Sequence, residues 1–257
     1  MAEESIAVIL TAWKRNYFNR IIPAIVNQSI KPTVIFVYQN KEFIDLKSIC
    51  LKHGIELISS TYDFKFYGRF SIPILLGTKY CLVLDDDIIP GSRWIENCMR
   101  AHKEHNAIIG GAGRVIKQVE PTPGRIGDCP PVEKDTEVDI IIHSYFFKTD
   151  WARYIWFDKI PDFTNGEDIH FSVACRLHGG IKAVIPKQPE GSKDLWCTLD
   201  PKLAEDDFAA WRKQGHDQVR KKLIKLWLAK GWRPINYYKF PIYRLKRYLR
   251  KYLAKIL

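Results

Sequence analysis

Three consecutive aspartates, Asp85, Asp86 and Asp87, follow directly on the apolar run YCLVL of residues 80–84. Adjacent carboxylates repel one another and lose hydration when buried, so a positive partner is expected beside them. Because side chains alternate along an extended segment, Asp85 and Asp87 should point to one side and Asp86 to the other. Two carboxylates at the carboxyl end of a strand suit a divalent cation such as Mg²⁺ or Mn²⁺. The alternative is that the triplet caps the following helix and faces water.

A second acidic motif lies in the stretch NGEDIHFS of residues 165–172. The pattern predicts a helix that begins near Glu167, with Glu167 and Asp168 in its first turn. The helix dipole favours acids at this position, so a purely structural helix start would look the same. The dipole and the backbone N–H groups would keep Asp168 ionised, which suits a general base or a charge-stabilising group.

The elements that must position these acids alternate between short apolar runs and amphipathic segments, which predicts an α/β fold with a mostly parallel sheet. Strands are predicted at 6–10, 33–38, 55–59, 80–84, 107–116, 138–147 and 181–186. Helices are predicted at 17–29, 43–53, 70–77, 91–105 and from about 167 to 180. Since ligands of open α/β sheets gather at the carboxyl ends of strands, the aspartates are expected at the functional edge.

Four motifs in order resemble those of the GT-A glycosyltransferases. They are TAWKR at 11–15, VYQN at 37–40, GRF at 68–70 ahead of LVLDDDI at 82–88, and GEDIHFS at 166–172. Within this fold the chain is similar to the family 2-like enzymes and to the exostosin-like transferases, over roughly residues 5 to 190. The resemblance implies a Rossmann-like sheet that binds a nucleotide-diphosphate sugar together with a divalent cation, Mn²⁺ or Mg²⁺.

The resemblance also implies roles for individual residues. The donor-binding set comprises Thr11, Arg15, Gln39, Asn40, Arg69, Asp85 and Asp86. Asp87 matches the position that ligates the metal most directly, with Asp85 beside it. In inverting members, the carboxylate that Asp168 matches deprotonates the acceptor hydroxyl, and Glu167 is expected to orient the acceptor. In retaining, exostosin-like members the same pair stabilises charge instead.

One strand departs from the family pattern. Where many relatives carry a glycine-rich acceptor strand, this chain has IIIHSYFF at 140–147. His143 and Tyr145 are therefore expected to contact the acceptor, although a buried structural histidine is an equal alternative. Several relatives add a C-terminal histidine to the metal, and His216 is the only histidine beyond residue 178. Nothing around His216 decides whether it is a ligand.

The net charge of +11 is concentrated at the C-terminus. Residues 218–257 contain 13 Lys and Arg and no acid, whereas residues 1–217 contain 27 basic and 29 acidic residues. The chain is therefore predicted to consist of a catalytic domain, 1–217, and a basic tail, 218–257. Apolar residues recur at helical spacing between 242 and 256, which predicts an amphipathic helix on an anionic membrane surface. A helix packed on the catalytic domain and a nucleic-acid-binding tail are the alternatives.

The predicted function is a metal-dependent glycosyltransferase that acts on a glycolipid or lipid-linked glycan acceptor and is inverting, with Asp168 as its base. The alternatives are a retaining transferase and a non-enzymatic nucleotide- or nucleic-acid-binding protein. No nucleic-acid partner is expected, because no recognisable module for one is present. The acidic start MAEESIAVIL, the lack of an apolar stretch of about 18 residues and six cysteines without metal spacing predict a cytoplasmic protein, peripheral on the cytosolic face of a membrane.

Overall fold

A mixed sheet organises the computed structural model, which describes residues 4–116, 126–127 and 131–236. The strands in this part of the chain are β1 (Ile6–Ala12), β2 (Val34–Asn40), β3 (Glu56–Ser60), β4 (Tyr80–Leu84), β5 (Ile108–Arg114), β6 (Ile126–Gly127), β7 (Thr136–Val138), β8 (Ile140–Lys148) and β9 (Ala183–Ile185). The α-helices are α1 (Phe18–Val26), α2 (Lys47–His53), α3 (Trp94–His105), α4 (Glu167–Gly179) and α5 (His216–Ala229). The predicted α/β class, with helices flanking a mixed sheet, is confirmed.

The strand order brings the aspartates to the centre of the sheet. It runs β3-β2-β1-β4-β8-β5-β9-β7, with β6 on β5. The strands β3, β2, β1 and β4 are mutually parallel, so their carboxyl ends share one edge. Leu10 of β1 pairs with Leu84 of β4. The residues that follow these two strands, including Arg15 and the three aspartates, therefore leave the sheet side by side.

The sheet core explains why β4 is apolar along its whole length. All five residues of β4 are buried. Leu82 and Leu84 face a cluster with α1 and α3, while Cys81 and Val83 face the opposite cluster with Phe171 of α4. Because both faces of the strand are covered, alternation of apolar and polar residues is absent. The chain becomes polar only at Asp85, where the strand ends.

A β-bulge distorts β8 next to this edge. Gly110 of β5 pairs with Tyr145, whereas Ala112 pairs with Ile142, so His143 and Ser144 together face one residue of β5. His143 has a positive φ of 74°. An extra residue in one strand twists it locally and re-aims its side chains. The bulge thus gives His143 a direction that regular alternation along β8 would not predict.

The helices α4 and α5 pack tightly against each other. Gly166, which precedes α4, has a φ of 87°, and a Cβ there would collide with Leu223 of α5. Leu223, Ile224 and Trp227 of α5 pack with Ile169 and Val173 of α4. Part of the predicted tail, residues 218–229, is thus in contact with the predicted catalytic domain. The division at residue 217 stays a prediction, and the predicted basic helix within 242–256 lies outside the described residues.

Several predicted helices differ from the structure in detail: 17–29 ends at Val26 and 43–53 begins at Lys47. The helix predicted over 70–77 is a pair of 3₁₀ turns, Gly68–Phe70 and Ile72–Leu75, because Pro73 has no N–H with which to continue a helical ladder. The helix predicted from Gly91 begins at Trp94. Gly91 instead approaches the backbone of Lys193 and Asp194 closely, where a Cβ would collide.

Candidate active site

Arg15 provides the positive partner that the aspartates require. Its Nη1 lies 2.8 Å from Asp86 Oδ1 and 3.1 Å from Asp87 Oδ2. The backbone N–H of Trp13 also donates to Asp86, at 3.3 Å. On its other edge, Arg15 donates from Nε and Nη2 to the two oxygens of Asp206, at 2.7 and 2.8 Å. Arg15 therefore connects the ends of β1 and β4 to the irregular segment that contains Asp206.

Arg69 connects the third aspartate to α4. The guanidinium is buried, with Nη1 in contact with Asp85 and Nη2 2.8 Å from Glu167 Oε1. The preceding residue, Gly68, packs closely against β2, where a Cβ would collide with the Tyr38 hydroxyl. The face of the Tyr145 ring lies 5.2 Å from the Arg69 guanidinium. Arg69 is thus held by two acids and an aromatic ring from three different elements.

A second buried ion pair joins α4 to α5. Arg220 donates from Nη1 and Nη2 to the two oxygens of Asp168, both at 2.8 Å. Both side chains are more than nine-tenths buried. Such a two-point pair is strong and has a defined geometry. Asp168 therefore has a fixed orientation that depends on α5.

The site carries more negative than positive charge. Its ion pairs join six carboxyl groups to three arginines: Asp86, Asp87 and Asp206 to Arg15, Asp85 and Glu167 to Arg69, and Asp168 to Arg220. Burial, together with the charges of Asp85 and Asp86, raises the pKa of Asp87 to about 7 although Arg15 opposes the shift. Burial, together with the charge of Asp168, likewise raises the pKa of Glu167 to about 7. A cationic ligand would relieve this excess.

The aspartate–histidine cluster, which comprises Asp85, Asp87 and His143, is a candidate binding site for such a cation. One ligand atom from each residue lies within 4.8 Å of the others, and His143 Nδ1 is 4.0 Å from Asp85 Oδ2. Opposite ligands of a Mg²⁺ ion lie about 4.2 Å apart, so a small inward movement would close the cluster around one ion. Asp87 Oδ1 is buried and accepts no hydrogen bond from the described residues. Two carboxylates and one imidazole in this arrangement are ligands that suit a divalent cation.

Further buried polar atoms at this edge make no hydrogen bond within the described part of the chain. They are Thr11 Oγ1, Trp13 Nε1 and Arg69 Nε. Buried polar atoms are normally paired, and exceptions need an explanation such as a missing ligand. Thr11 and Arg69 belong to the predicted donor-binding set, and Trp13 follows β1 directly. Their unfilled hydrogen-bonding capacity supports a polar ligand at the ends of β1 and β4.

Gln39 and Asn40 end β2 at the same sheet edge, separated from the aspartates by β1, and they hydrogen-bond to neighbouring loop residues. Gln39 donates to the carbonyl of Ile44 and accepts from Ser59. Asn40 accepts from the N–H of Phe64 and donates to Asp63 and to the carbonyl of Lys65. A cavity of ≈ 590 Å³ opens next to them, lined by residues that include Gln39, Phe43, Ile44, Leu57 and Ser59. Any contact of these two residues with a donor stays a prediction.

The remaining predicted residues occupy different positions. Tyr145 is buried under Arg69. His143 lies next to the carboxylate of Asp85. His216 begins α5, where its carbonyl accepts from Asn165 and its ring contacts Asp217. Among the described residues, the histidine grouped with Asp85 and Asp87 is His143, not His216.

Two residues of the site, Asp206 and Arg220, were not predicted from the sequence. A signal for Arg220 was present, because Arg220, Leu223, Ile224 and Trp227 recur at helical spacing and are all buried. An arginine in line with the apolar stripe of a helix indicates a buried ion pair. Asp206 gives no comparable signal, since it lies among other acids in an irregular segment.

Comparison with known proteins adds a structural relationship. No protein-family model matches the sequence, and no curated protein matches it. Among solved structures, the chain is similar to S. aureus TarS, a family 2 glycosyltransferase, with a TM-score of 0.55 and 11% sequence identity. The chain has a glycosyltransferase-like fold. The match covers 87% of this chain and 43% of the TarS chain, so this chain spans less than half the length of TarS.

Proposed function

We propose that this protein is a metal-dependent glycosyltransferase that uses a nucleotide-diphosphate sugar. The observation that carries the proposal is the aspartate–histidine cluster at the carboxyl end of β4, with the buried Asp87 Oδ1 lacking a partner among the described residues. Two further features support it. The buried Arg69 and the partly buried Arg15 flank the cluster, and a pair of acids, Glu167 and Asp168, begins the neighbouring helix. The glycosyltransferase-like fold agrees with this arrangement.

Asp85, Asp87 and His143 would hold the cation. When bound, a divalent cation neutralises negative charge on a departing diphosphate. Arg15 and Arg69 lie on either side of the aspartates, and the planar fork of an arginine suits the paired oxygens of a phosphate. We assign donor binding to these two arginines, with Thr11, Asp86, Gln39 and Asn40 as further members of the predicted set.

The acceptor would react on the α4 side of the site. There the acceptor hydroxyl must lose a proton as its oxygen attacks the sugar. The family resemblance assigns this proton to Asp168 in an inverting reaction, and Glu167 lies beside it with different partners. In a retaining reaction the same two carboxylates would stabilise charge. Of the two predicted acceptor contacts, Tyr145 is buried beneath Arg69 and His143 is assigned to the cation, so any contact of either residue with the acceptor stays a prediction.

A membrane-associated acceptor, a glycolipid or a lipid-linked glycan, is the substrate class that the charge distribution favours. Arg220 is buried against Asp168, but residues 237–257 alone contain seven Lys and Arg and no acid, and such a segment is attracted to anionic lipid. Within the described ranges, no helix has the length and the apolar character that crossing a bilayer requires. The tail would therefore hold the enzyme at a membrane surface from the cytoplasmic side.

A panel of nucleotide sugars tests the donor and the cation together. Thermal unfolding is measured with each nucleotide sugar, with and without Mn²⁺ or Mg²⁺, because a ligand that binds only the folded state raises Tm. We expect one nucleotide sugar to stabilise the protein only with a cation present, and Asp87→Asn to remove the effect. Stabilisation that needs no cation would contradict the metal assignment. Binding without hydrolysis or transfer, with every acceptor class tried, would favour a non-enzymatic nucleotide-binding protein.

A further inference from the structure

Two adjacent carboxylates at the start of α4 have different hydrogen-bond partners. Both oxygens of Asp168 accept from Arg220, and Oδ1 also accepts from the N–H of Ile169 at 2.8 Å. Glu167 accepts from Arg69 through Oε1 at 2.8 Å. Among the described residues, the one other donor to the Glu167 carboxylate is the backbone N–H of Glu167 itself. The two acids are therefore not equivalent, although they are neighbours in one helical turn.

This difference decides which acid can take a proton. A general base needs an oxygen with an available lone pair that reaches the hydroxyl. Both oxygens of Asp168 are already taken by Arg220, so an acceptor hydroxyl could use either of them only by breaking this buried two-point pair and leaving the charge of Arg220 uncompensated. Glu167 can accept a proton on Oε2 while Oε1 keeps its hydrogen bond to Arg69.

We propose that Glu167 accepts the proton of the acceptor hydroxyl, and that Arg220 and Asp168 form a positioning pair behind it. This inference rests on the proposed glycosyl transfer. The O–H bond of the acceptor breaks and its proton goes to Glu167 Oε2. The electron pair of that bond stays on the acceptor oxygen, which bonds to the anomeric carbon of the sugar. The bond between that carbon and the diphosphate breaks, and its electrons leave with the nucleotide diphosphate.

The electrostatic surroundings agree with this division of roles. The titratable and charged groups that act on Glu167 come from every neighbouring element: Tyr67, Arg69, Asp85, Tyr145 and Asp168, with Arg220 paired behind Asp168. Burial is the main cause that raises the pKa of Glu167 to about 7, Asp168 and Asp85 add to it, and Arg69 opposes it. A base is most effective when its pKa lies near the working pH. Neighbouring acids in unlike environments commonly divide their roles in this way.

Three variants and a matched control separate the two acids. Glu167→Gln removes the proposed base. The double substitution Asp168→Asn with Arg220→Gln replaces the positioning pair by neutral residues, and Arg220→Lys keeps its charge but not its two-point geometry. Glu137→Gln is the control, because Glu137 also accepts from an arginine, Arg176, but belongs to the strand β7 at the far edge of the sheet.

The measurements are kcat for transfer as a function of pH, and donor binding from the cation-dependent Tm shift. We expect Glu167→Gln to lower kcat by a factor on the order of 10²–10⁴ while donor binding changes only a few-fold. The double variant should lose less kcat than Glu167→Gln. The acid limb of its pH profile should move to lower pH, because Asp168, which raises the pKa of Glu167, acts on it more strongly than Arg220, whose positive charge opposes that shift. Arg220→Lys should lose activity moderately and keep the acid limb in place. Glu137→Gln should match the wild type.

Several outcomes would overturn the inference. A double variant that loses as much kcat as Glu167→Gln would identify Asp168 as the base. Asp168 would also be identified as the base if the acid limb of the kcat profile moves to higher pH in Arg220→Lys. This second test can be read even if the double variant fails to fold. Near-normal kcat in Glu167→Gln would exclude Glu167. If the wild type neither transfers nor hydrolyses any nucleotide sugar, the proposed function itself fails. That result is obtained without any variant, so it is distinct from a failure of the inference about Glu167.

Discussion

Arg15 stands between Asp86 and Asp87, with a single nitrogen, Nη1, 2.8 Å from one carboxylate and 3.1 Å from the other. Asp206 holds the opposite edge of the same guanidinium through both of its oxygens. A carboxylate and a phosphate present similar pairs of oxygens to an arginine. A diphosphate that binds Arg15 would therefore have to replace Asp206. Binding would exchange one partner of the Arg15 guanidinium, the Asp206 carboxylate, for a phosphate group.

This relationship predicts that Asp206 competes with the donor. Asp206→Asn should tighten the binding of pyrophosphate or a nucleotide diphosphate by about tenfold or less, which corresponds to at most about 1.4 kcal/mol. Asp207→Asn is the control, because Asp207 is its neighbour, is highly exposed and contacts Arg212 instead. Isothermal titration calorimetry in the presence of Mg²⁺ gives both affinities. Weaker binding in Asp206→Asn would show that Asp206 orients Arg15 for the ligand.

The second prediction concerns Asp87 and the cation. Asp87→Asn should abolish cation-dependent donor binding, because it removes a central oxygen ligand. The variant should nevertheless fold, since it also removes one of three carboxylates that repel one another. Asp150→Asn, an exposed acid at the start of a 3₁₀ segment, is the control for the loss of one negative charge. Retained Mn²⁺ binding in a calorimetric titration of Asp87→Asn would contradict the cluster as the metal site.

Sequence patterns predicted the parts of this site whose signals are local. The apolar residues of β4 precede Asp85 directly, and Gly54 and Gly180 end α2 and α4 with positive φ, as glycines after helices commonly do. Parallel strands then had to place the residues after β1 and β4 at one edge. These elements required only short-range patterns, so their approximate positions and the fold class were predictable.

The contacts that give each acid its chemistry were not predictable in the same way. Arg220 reaches Asp168 across 52 positions of sequence, and Asp206 reaches Arg15 across 191. Such pairings depend on how α5 and the segment before it pack, which residue spacing does not encode. His143 approaches Asp85 because β8 bulges there, and regular alternation would not identify the bulged residue. Tertiary packing therefore decides which of the predicted residues meet.

The third prediction is a dependence of stability on pH that comes from Glu167. Its pKa in the folded state is raised to about 7, mainly by burial, while an unfolded chain has a glutamate pKa of about 4.3. Between these values the folded state binds more protons than the unfolded state, so stability falls as pH rises through this window. The Tm of the ligand-free protein should drop by about 5 °C or more between about pH 5 and pH 7.5.

Glu167→Gln tests the origin of this dependence. The variant should have a flatter profile of Tm against pH, because its side chain no longer titrates. Glu137→Gln should keep the contribution of Glu167 to the slope, since Glu137 lies in β7 at the far edge of the sheet and its charge acts on Asp139 instead. Urea unfolding at each pH provides a second measure of the same free energy. A profile that is equally steep in Glu167→Gln would assign the slope to other buried carboxyls, such as Asp87 and Asp139, whose pKa values burial raises to about 7 and about 6.

The fourth prediction separates catalysis from location. A chain that ends after Asn236 retains α5, its Arg220 and the packing of Trp232, so it should keep the fold, donor binding and transfer to a lipid-free acceptor. It loses the basic residues beyond 236, six of which lie between 244 and 255. Each contributes about 1 kcal/mol near an anionic surface, and salt screens this attraction.

Full-length protein should therefore sediment with phosphatidylserine vesicles at low salt, less at high salt and little with neutral vesicles, while the shortened chain should stay in the supernatant. If the full-length protein ignores anionic vesicles, or if the shortened chain unfolds, the tail belongs to the folded domain and the membrane assignment is wrong.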